Sequence, residues 1–164
     1  MSIILFSRPV QTGKTTELQR WCDQQNNVAG ILMPVILGKR KIYNLVTKEL
    51  TDIECNDPGK AKERLISVGR YHFYDDVFKK ANTQLTEMTD ACPEWLIVDE
   101  VGKLELEGKG FYPAVKRIIE EQGNKKNSTK TILVVREGLC DAVTSVFKIK
   151  EFMVIDHTEN LNSV

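Results

Sequence analysis

Neither sign of charge is in surplus here: 23 lysines and arginines stand against 23 aspartates and glutamates, for a formal net charge of +0. Nucleic-acid binders usually carry a basic excess for their phosphate contacts, so no dedicated nucleic-acid binding is expected. The two small basic stretches, "GKRK" at 38–41 and "NKK" at 124–126, read as solvated turns. Histidine is scarce: His72 and His157 have no partner at ligand spacing. Cys22, Cys55, Cys92 and Cys140 are dispersed, with no short pair of the kind that holds a metal. A chain of 164 residues builds its core without disulfide staples, so reduced thiols are expected. No apolar run approaches the roughly 20 residues of a membrane span. No basic segment followed by a long apolar stretch opens the chain. The expectation is a cytoplasmic protein with no membrane contact, forming one domain over 1–164. Nothing in the sequence names a protein partner.

What is present is an alternation. "SIILF" (2–6) is a short β-branched run bounded by Ser7, Arg8 and Pro9, the pattern of a buried strand. Leu18, Trp21 and Cys22 then fall at i, i+3, i+4, which predicts an amphipathic helix running to Asn26–Asn27. "VAGILMPVIL" and "KIYNLVTKEL" flank Gly38–Lys39–Arg40 and read as two strands of a hairpin, with Pro34 favouring an edge or a bulge. Between 51 and 73 the signal is weak: "NDPG" is a turn and "ISVGRYHF" a candidate strand. Val77, Ala81, Leu85 and Met88 restore helical spacing, and "EWLIVDE" (94–100) is a second buried strand ending in two acids. Phe111, Val115, Ile118 and Ile119 predict a helix with Pro113 in its first turn and Gly123 at its end. "TILVV" (131–135) and "FMVID" (152–156) are further buried strands, with a helix in "EGLCDAVTSVF" between them. Buried strands alternating with helices predict a parallel sheet covered on both faces, with the hairpin added at one edge. Ligands of such sheets bind beyond the carboxyl ends of the strands. Ser7–Thr16, Asp99–Glu100 and Arg136 all fall at such ends.

"SRPVQTGKTT" (7–16) carries the chemistry. A phosphate loop follows G-x-x-x-x-G-K-[ST]: backbone N–H groups wrap the phosphates, the lysine reaches the β and γ oxygens, and the hydroxyl holds Mg²⁺. Gly13, Lys14 and Thr15 fill the last three positions, while Arg8 stands where the first glycine belongs. A surface turn before a helix cap is the plainer alternative for "TGKTT" alone. Its place between a buried strand and an amphipathic helix favours the phosphate loop, with Arg8, Pro9, Val10, Gln11, Thr12, Gly13, Lys14, Thr15 and Thr16 around the nucleotide. "WLIVDE" supplies the second signal, with Asp99 at the strand tip where a metal-ordering carboxylate belongs. Glu100 points to the other side and is placed to activate a water as general base. Acids also cap strand ends without any such role. Two signals in the right order, with an acidic pair rather than a single aspartate, favour water as the acceptor.

"IVDEVGKLELEGKGF" (97–111) resembles the signature of the THEP-type nucleoside-triphosphatase family, which reads close to "IIDEIGKMEL" followed by phenylalanine. The N-terminal "GKTT", the "AGILMPV" after the first helix and the "TEN" near the C-terminus extend the similarity over almost the whole chain. The resemblance implies a RecA-like P-loop NTPase fold of three layers and Mg²⁺-dependent hydrolysis of nucleoside triphosphates with broad base tolerance. It makes Lys14 the phosphate lysine, Thr15 and Asp99 the metal residues, and Glu100 the water-activating group. Gly102, Lys103 and Glu105 match the remaining signature. Lys103 is a candidate for neutralising charge in the transition state, with a salt bridge to Glu105 or Glu100 as the alternative.

Three departures qualify the match. The family loop resembles "GPPGVGKTT", so Arg8 and Gln11 both replace glycines that would permit positive φ and close approach to phosphate. Arg8 either offers its guanidinium to a phosphate or faces solvent. Met33 and Pro34 stand where the family tends to have small polar and acidic residues, and base contacts are expected to differ. Leu161 replaces the arginine of the family's "ENR", and the family's last helix is expected to be absent or shortened. Arg136 is a candidate sensor of the γ-phosphate or an ordinary strand-ending arginine. Two other readings compete with hydrolysis: a small-molecule kinase, which would need an acceptor pocket and usually an arginine-rich lid, and a weakly hydrolysing nucleotide-binding regulatory module.

Overall fold

The computed structural model describes residues 3–9, 11–122 and 128–163. Val10, Gly123 and the lysines at 125–126 lie outside them. Five strands run parallel at the centre: β1 (Ile3–Arg8), β2 (Val28–Leu32), β8 (Trp95–Val101), β9 (Lys130–Arg136) and β10 (Met153–Ile155), in the order β10-β1-β9-β8-β2. Beyond β2 the sheet continues antiparallel through β4 (Lys39–Asn44) to β3 (Val35–Ile36), and β5 (Leu50–Asp52) also pairs with β4. The α/β fold with its mostly parallel sheet and edge hairpin is therefore as the alternation implied.

Period-two alternation along buried strands sends neighbours to opposite faces, and two separate cores result. Leu5, Leu96, Val98, Leu133 and Val135 pack with α2 (Asp75–Asp90), α4 (Tyr112–Gln122) and α5 (Cys140–Phe147). Ile4, Phe6, Ile97, Ile132 and Val134 pack with Leu18, Trp21 and Cys22 of α1 (Lys14–Cys22). Leu161, in the 3-10 turn Thr158–Ser163, is buried in that second core. An apolar residue at 161 thus closes this face where arginine would leave a charge to solvate.

β2 comes very close to β8. Gly30 has φ +136, and a Cβ there would lie 2.6 Å from the Ile97 nitrogen and nearer still to its carbonyl oxygen. Only glycine fits this position.

Four expectations are corrected. The long apolar stretch 28–37 is two strands, broken at Pro34, which has no N–H for a ladder; β2 joins the parallel core through β8 and also pairs antiparallel with β4, while β3 pairs with β4 alone. "ISVGRYHF" is likewise two strands, β6 (Leu65–Val68) and β7 (Tyr71–Tyr74), paired antiparallel about Gly69–Arg70 in a small separate sheet. Gly69 supplies the left-handed backbone (φ +57) that a two-residue turn needs. α1 ends at Cys22 rather than near Asn27. β10 is an edge strand, not a buried one, and Val154 is 53% exposed.

Candidate functional site

β1 leads directly into the loop and α1, whose first helical bond runs from the Glu17 N–H to the Gly13 carbonyl at 2.9 Å. The backbone N–H groups of the first turn therefore have no partner inside the helix and face outward, the arrangement that suits an anion. Gly13 precedes the helix at φ +78, a left-handed conformation that glycine takes without steric cost. Gln11 takes the same region at φ +59. The loop thus keeps a glycine-like path at residue 11 without a glycine, at a cost of about 1–2 kcal/mol. Arg8 makes no such demand, because it is the last residue of β1.

The neck of the loop is closed by its own side chains. Lys14 Nζ donates to the carbonyls of Arg8 and Pro9, both at 2.8 Å, and Thr12 Oγ1 donates to the Pro9 carbonyl at 2.7 Å. Partial burial and the nearby Arg8 guanidinium lower the Lys14 pKa, while Asp99 and Glu100 act the other way. Thr16 is exposed on the first turn of α1.

Arg8 does not face solvent, and its guanidinium turns to α1 and the C-terminal segment. Its side chain is 12% exposed. Nη1 donates to Glu17 Oε2 at 2.7 Å and to His157 Nδ1 at 3.0 Å, and Nη2 donates to the Thr12 carbonyl at 3.1 Å. The other Glu17 oxygen accepts the Thr158 backbone N–H at 2.8 Å and its hydroxyl at 3.1 Å. Burial works to raise the Glu17 pKa, but these bonds from Thr158 and Arg8 outweigh it and the net shift is downward. His157 therefore has a partner after all, one 149 residues away in sequence.

Asp99 and Glu100 sit at a β-bulge. Pairing between β8 and β9 is regular to Val98–Leu133 and resumes at Val101–Val135, so two residues of β8 face one of β9. The bulge turns the acids in different directions. Asp99 is fully buried; Oδ2 accepts Thr15 Oγ1 at 2.7 Å and the Met33 backbone N–H at 3.0 Å. Its Oδ1 is also buried and has no hydrogen-bond partner. Burial first, then the neighbouring Glu100 charge, push the Asp99 pKa up to about 6. Glu100 stands outside at φ +64, its side chain 40% exposed, in an ion pair with Arg40 of β4. A positive φ at a non-glycine residue costs about 1–3 kcal/mol and tends to occur at functional positions.

Glu105 belongs to the frame of the site. In α3 (Lys103–Leu106) it is buried, accepting the Gly102 N–H through Oε2 and the Phe111 N–H through Oε1, both at 2.8 Å. Burial raises its pKa to about 7. With Glu105 so engaged and Glu100 held by Arg40, neither acid is the partner of Lys103, which is exposed at the start of α3. Arg136 is exposed at the end of β9, in register with Arg8 of β1.

The structure thus brings Lys14, Thr15, Asp99 and Glu100 to one end of the sheet and encloses the loop through Pro9 and Thr12. Sequence reasoning missed Arg40, Glu17 and Thr158. Arg40 lay in a stretch that reads as a solvated turn, and no local spacing ties Glu17 to residues near 158.

A central parallel sheet in this order, with a strand–loop–helix turn at β1 and two acids at the tip of β8 across the intervening β9, defines the P-loop NTPase class of fold. The chain belongs to the NTPase family, which it matches over residues 3–161. Among solved structures it is similar to the crystal structure of THEP1 from the hyperthermophile Aquifex aeolicus, at 18% identity and a TM-score of 0.71, covering 99% of this chain and 93% of that one. It is also similar to the solution structure of a human cancer-related nucleoside triphosphatase, at 20% identity and a TM-score of 0.67, with the same coverage. No curated protein matches the chain by sequence. Among the described residues no helix is long and apolar enough to cross a membrane.

Proposed function

We propose that this protein hydrolyses nucleoside triphosphates to the diphosphate and phosphate, with Mg²⁺ as cofactor. The observation that carries the reading is the pairing of Thr15 with Asp99, whose second oxygen is buried and unpartnered. A buried carboxylate oxygen without a donor is costly unless a cation or another donor meets it. Among the described residues no cluster of three or more His, Cys, Asp or Glu could cage a metal. One hydroxyl and one carboxylate are instead the sparse protein share typical of magnesium, which takes its remaining ligands from substrate phosphates and water. Thr15 and Asp99 would hold the ion, which when bound would neutralise charge on the β and γ oxygens.

The chain's own residues do the rest. Backbone N–H groups of Gln11 to Thr16, with Arg8 and Pro9 at the mouth of the loop, cradle the phosphates; Val10, expected in the same loop, lies outside the described residues. Lys14 exchanges the carbonyls of Arg8 and Pro9 for phosphate oxygens, a lysine already partly desolvated and aimed into the loop. Glu100, at the bulge of β8 with its side chain part-exposed, takes a proton from the attacking water. Lys103 is exposed near the same strand end and neutralises the negative charge of the transition state. Arg8 enters through its main chain, since its guanidinium serves Glu17. The family and the similarity to a nucleoside triphosphatase support hydrolysis as the reaction class.

Phosphate release from several nucleoside triphosphates, with and without Mg²⁺ and with no acceptor added, tests this. Release that needs both the triphosphate and Mg²⁺ is expected. Turnover only on addition of a small-molecule acceptor would instead make the protein a kinase, and tight binding without turnover would make it a regulatory module.

A further inference from the structure

Arg40 lies outside the phosphate loop and the acidic tip of β8, yet it is held from three sides. Its backbone N–H donates to Glu54 Oε2 at 3.0 Å, its guanidinium lies 5.6 Å from the centre of the Tyr71 ring, and it forms the ion pair with Glu100. Its side chain is about one-fifth exposed, so the group is fixed in place and partly shielded from water. Glu54 lies just beyond β5, bridged to Phe73 of β7, and Tyr71 is in β7 as well. The small β6–β7 sheet and the β3–β4 hairpin therefore converge on this one side chain. On the other side of the pair, Glu100 occupies a left-handed backbone conformation that persists only where surrounding contacts hold it.

A carboxylate that activates water must be aimed as well as basic, and a displacement of about 1 Å can cost on the order of a hundredfold in rate. Glu100 is more than a third exposed, and its own strand imposes no rotamer on it through burial. The cation from β4 is what fixes its direction. Arg40 also stands close enough to act electrostatically on Asp99, which joins it to the same charge cluster.

We infer that Arg40 is a positioning residue for Glu100, aiming the water-activating carboxylate from the edge hairpin rather than from the phosphate loop. This rests on the hydrolytic role proposed for Glu100. Planar guanidinium on carboxylate fixes an orientation that a lysine ammonium reproduces only in part. The role is separate from the phosphate loop, because among the described residues Arg40 has no hydrogen bond or ion pair to that loop.

The test compares the full-length parent with Arg40→Met, Arg40→Lys and Glu100→Gln, measuring kcat, KM and the affinity for a non-hydrolysable triphosphate analogue in Mg²⁺. Arg40→Met should lower kcat by about tenfold or more, leave KM and analogue affinity within about twofold, and leave the melting temperature near that of the parent. Arg40→Lys should recover part of kcat. Unchanged kcat in Arg40→Met, or analogue affinity falling in step with kcat/KM, would overturn the inference. Equal loss in the lysine variant would overturn it too. If Glu100→Gln turns over like the parent, the hydrolytic role of Glu100 fails and the inference falls with it. If Glu100→Gln is inactive and Arg40→Met is not impaired, only the inference fails.

Discussion

Thr15 and Asp99, 84 residues apart in sequence, meet through a 2.7 Å hydrogen bond that joins the first turn of α1 to the tip of β8. The bond leaves one Asp99 oxygen buried and unpartnered, a costly state for a carboxylate with no donor or cation against it. Asp99→Asn keeps the size and an acceptor for Thr15 but removes the charge. It should melt at or above the parent's temperature, because a buried charge is costly. Phosphate release should fall by about a hundredfold or more, as expected when metal charge stabilisation worth several kcal/mol is lost. Parent-like release from this variant would remove the proposed metal site.

The two departures from glycine in the loop should behave in opposite ways. Arg8→Ala breaks the bonds to Glu17, His157 and the Thr12 carbonyl and should cost about 2 kcal/mol in urea unfolding, the range for hydrogen bonds to charged groups. Gln11→Gly relieves a left-handed residue at φ +59 and should raise stability by up to about 1 kcal/mol, the gain limited by glycine's extra freedom in the unfolded chain. Both variants stabilising, or both neutral, would contradict this account of the loop.

Gly30 fixes the distance between β2 and β8. Gly30→Ala drives a methyl into the Ile97 backbone at a φ of +136 and should cost about 3 kcal/mol or more. A denaturant midpoint within experimental error of the parent would show that the strands can separate there.

Glu105 should make stability depend on pH. Its folded pKa, near 7, lies above the ordinary value of 4.5, so folding favours the protonated form. The stability this contributes is fully present below about pH 4.5 and is lost as pH rises towards 7. Glu105→Gln removes the titration and should flatten the slope of stability against pH across that window. Its absolute stability should also drop, since the new amide N–H₂ must face the Gly102 or Phe111 N–H, both donors. An unchanged slope would count against a buried, neutral Glu105.

Much of this architecture was readable from pattern. β1, β8 and β9 announced themselves as apolar runs because both of their faces are buried, and the GKT and DE motifs fall at strand ends because parallel sheets bind ligands there. β6 and β7 were obscured because their turn is a single Gly69–Arg70 step inside one continuous stretch. β10 looked buried because Met153, Val154 and Ile155 are all apolar, although an edge strand exposes one side. At the site, Lys14, Thr15, Asp99 and Glu100 carry local signatures. Arg40, Glu17, His157 and Thr158 do not, since their partners come from distant segments that only the folded sheet brings together. Even Glu105, inside the recognisable signature, gave no hint that it caps backbone N–H groups rather than pairing with Lys103.

The central claim is that Glu100 activates water on a nucleotide held by the loop and by Asp99. Its most direct test is single-turnover phosphate release by Glu100→Gln in Mg²⁺, with triphosphate binding measured on the same sample. The account predicts binding within about twofold of the parent and release slowed by a hundredfold or more, the usual share of a general base. Release at the parent's rate from fully bound nucleotide would contradict it.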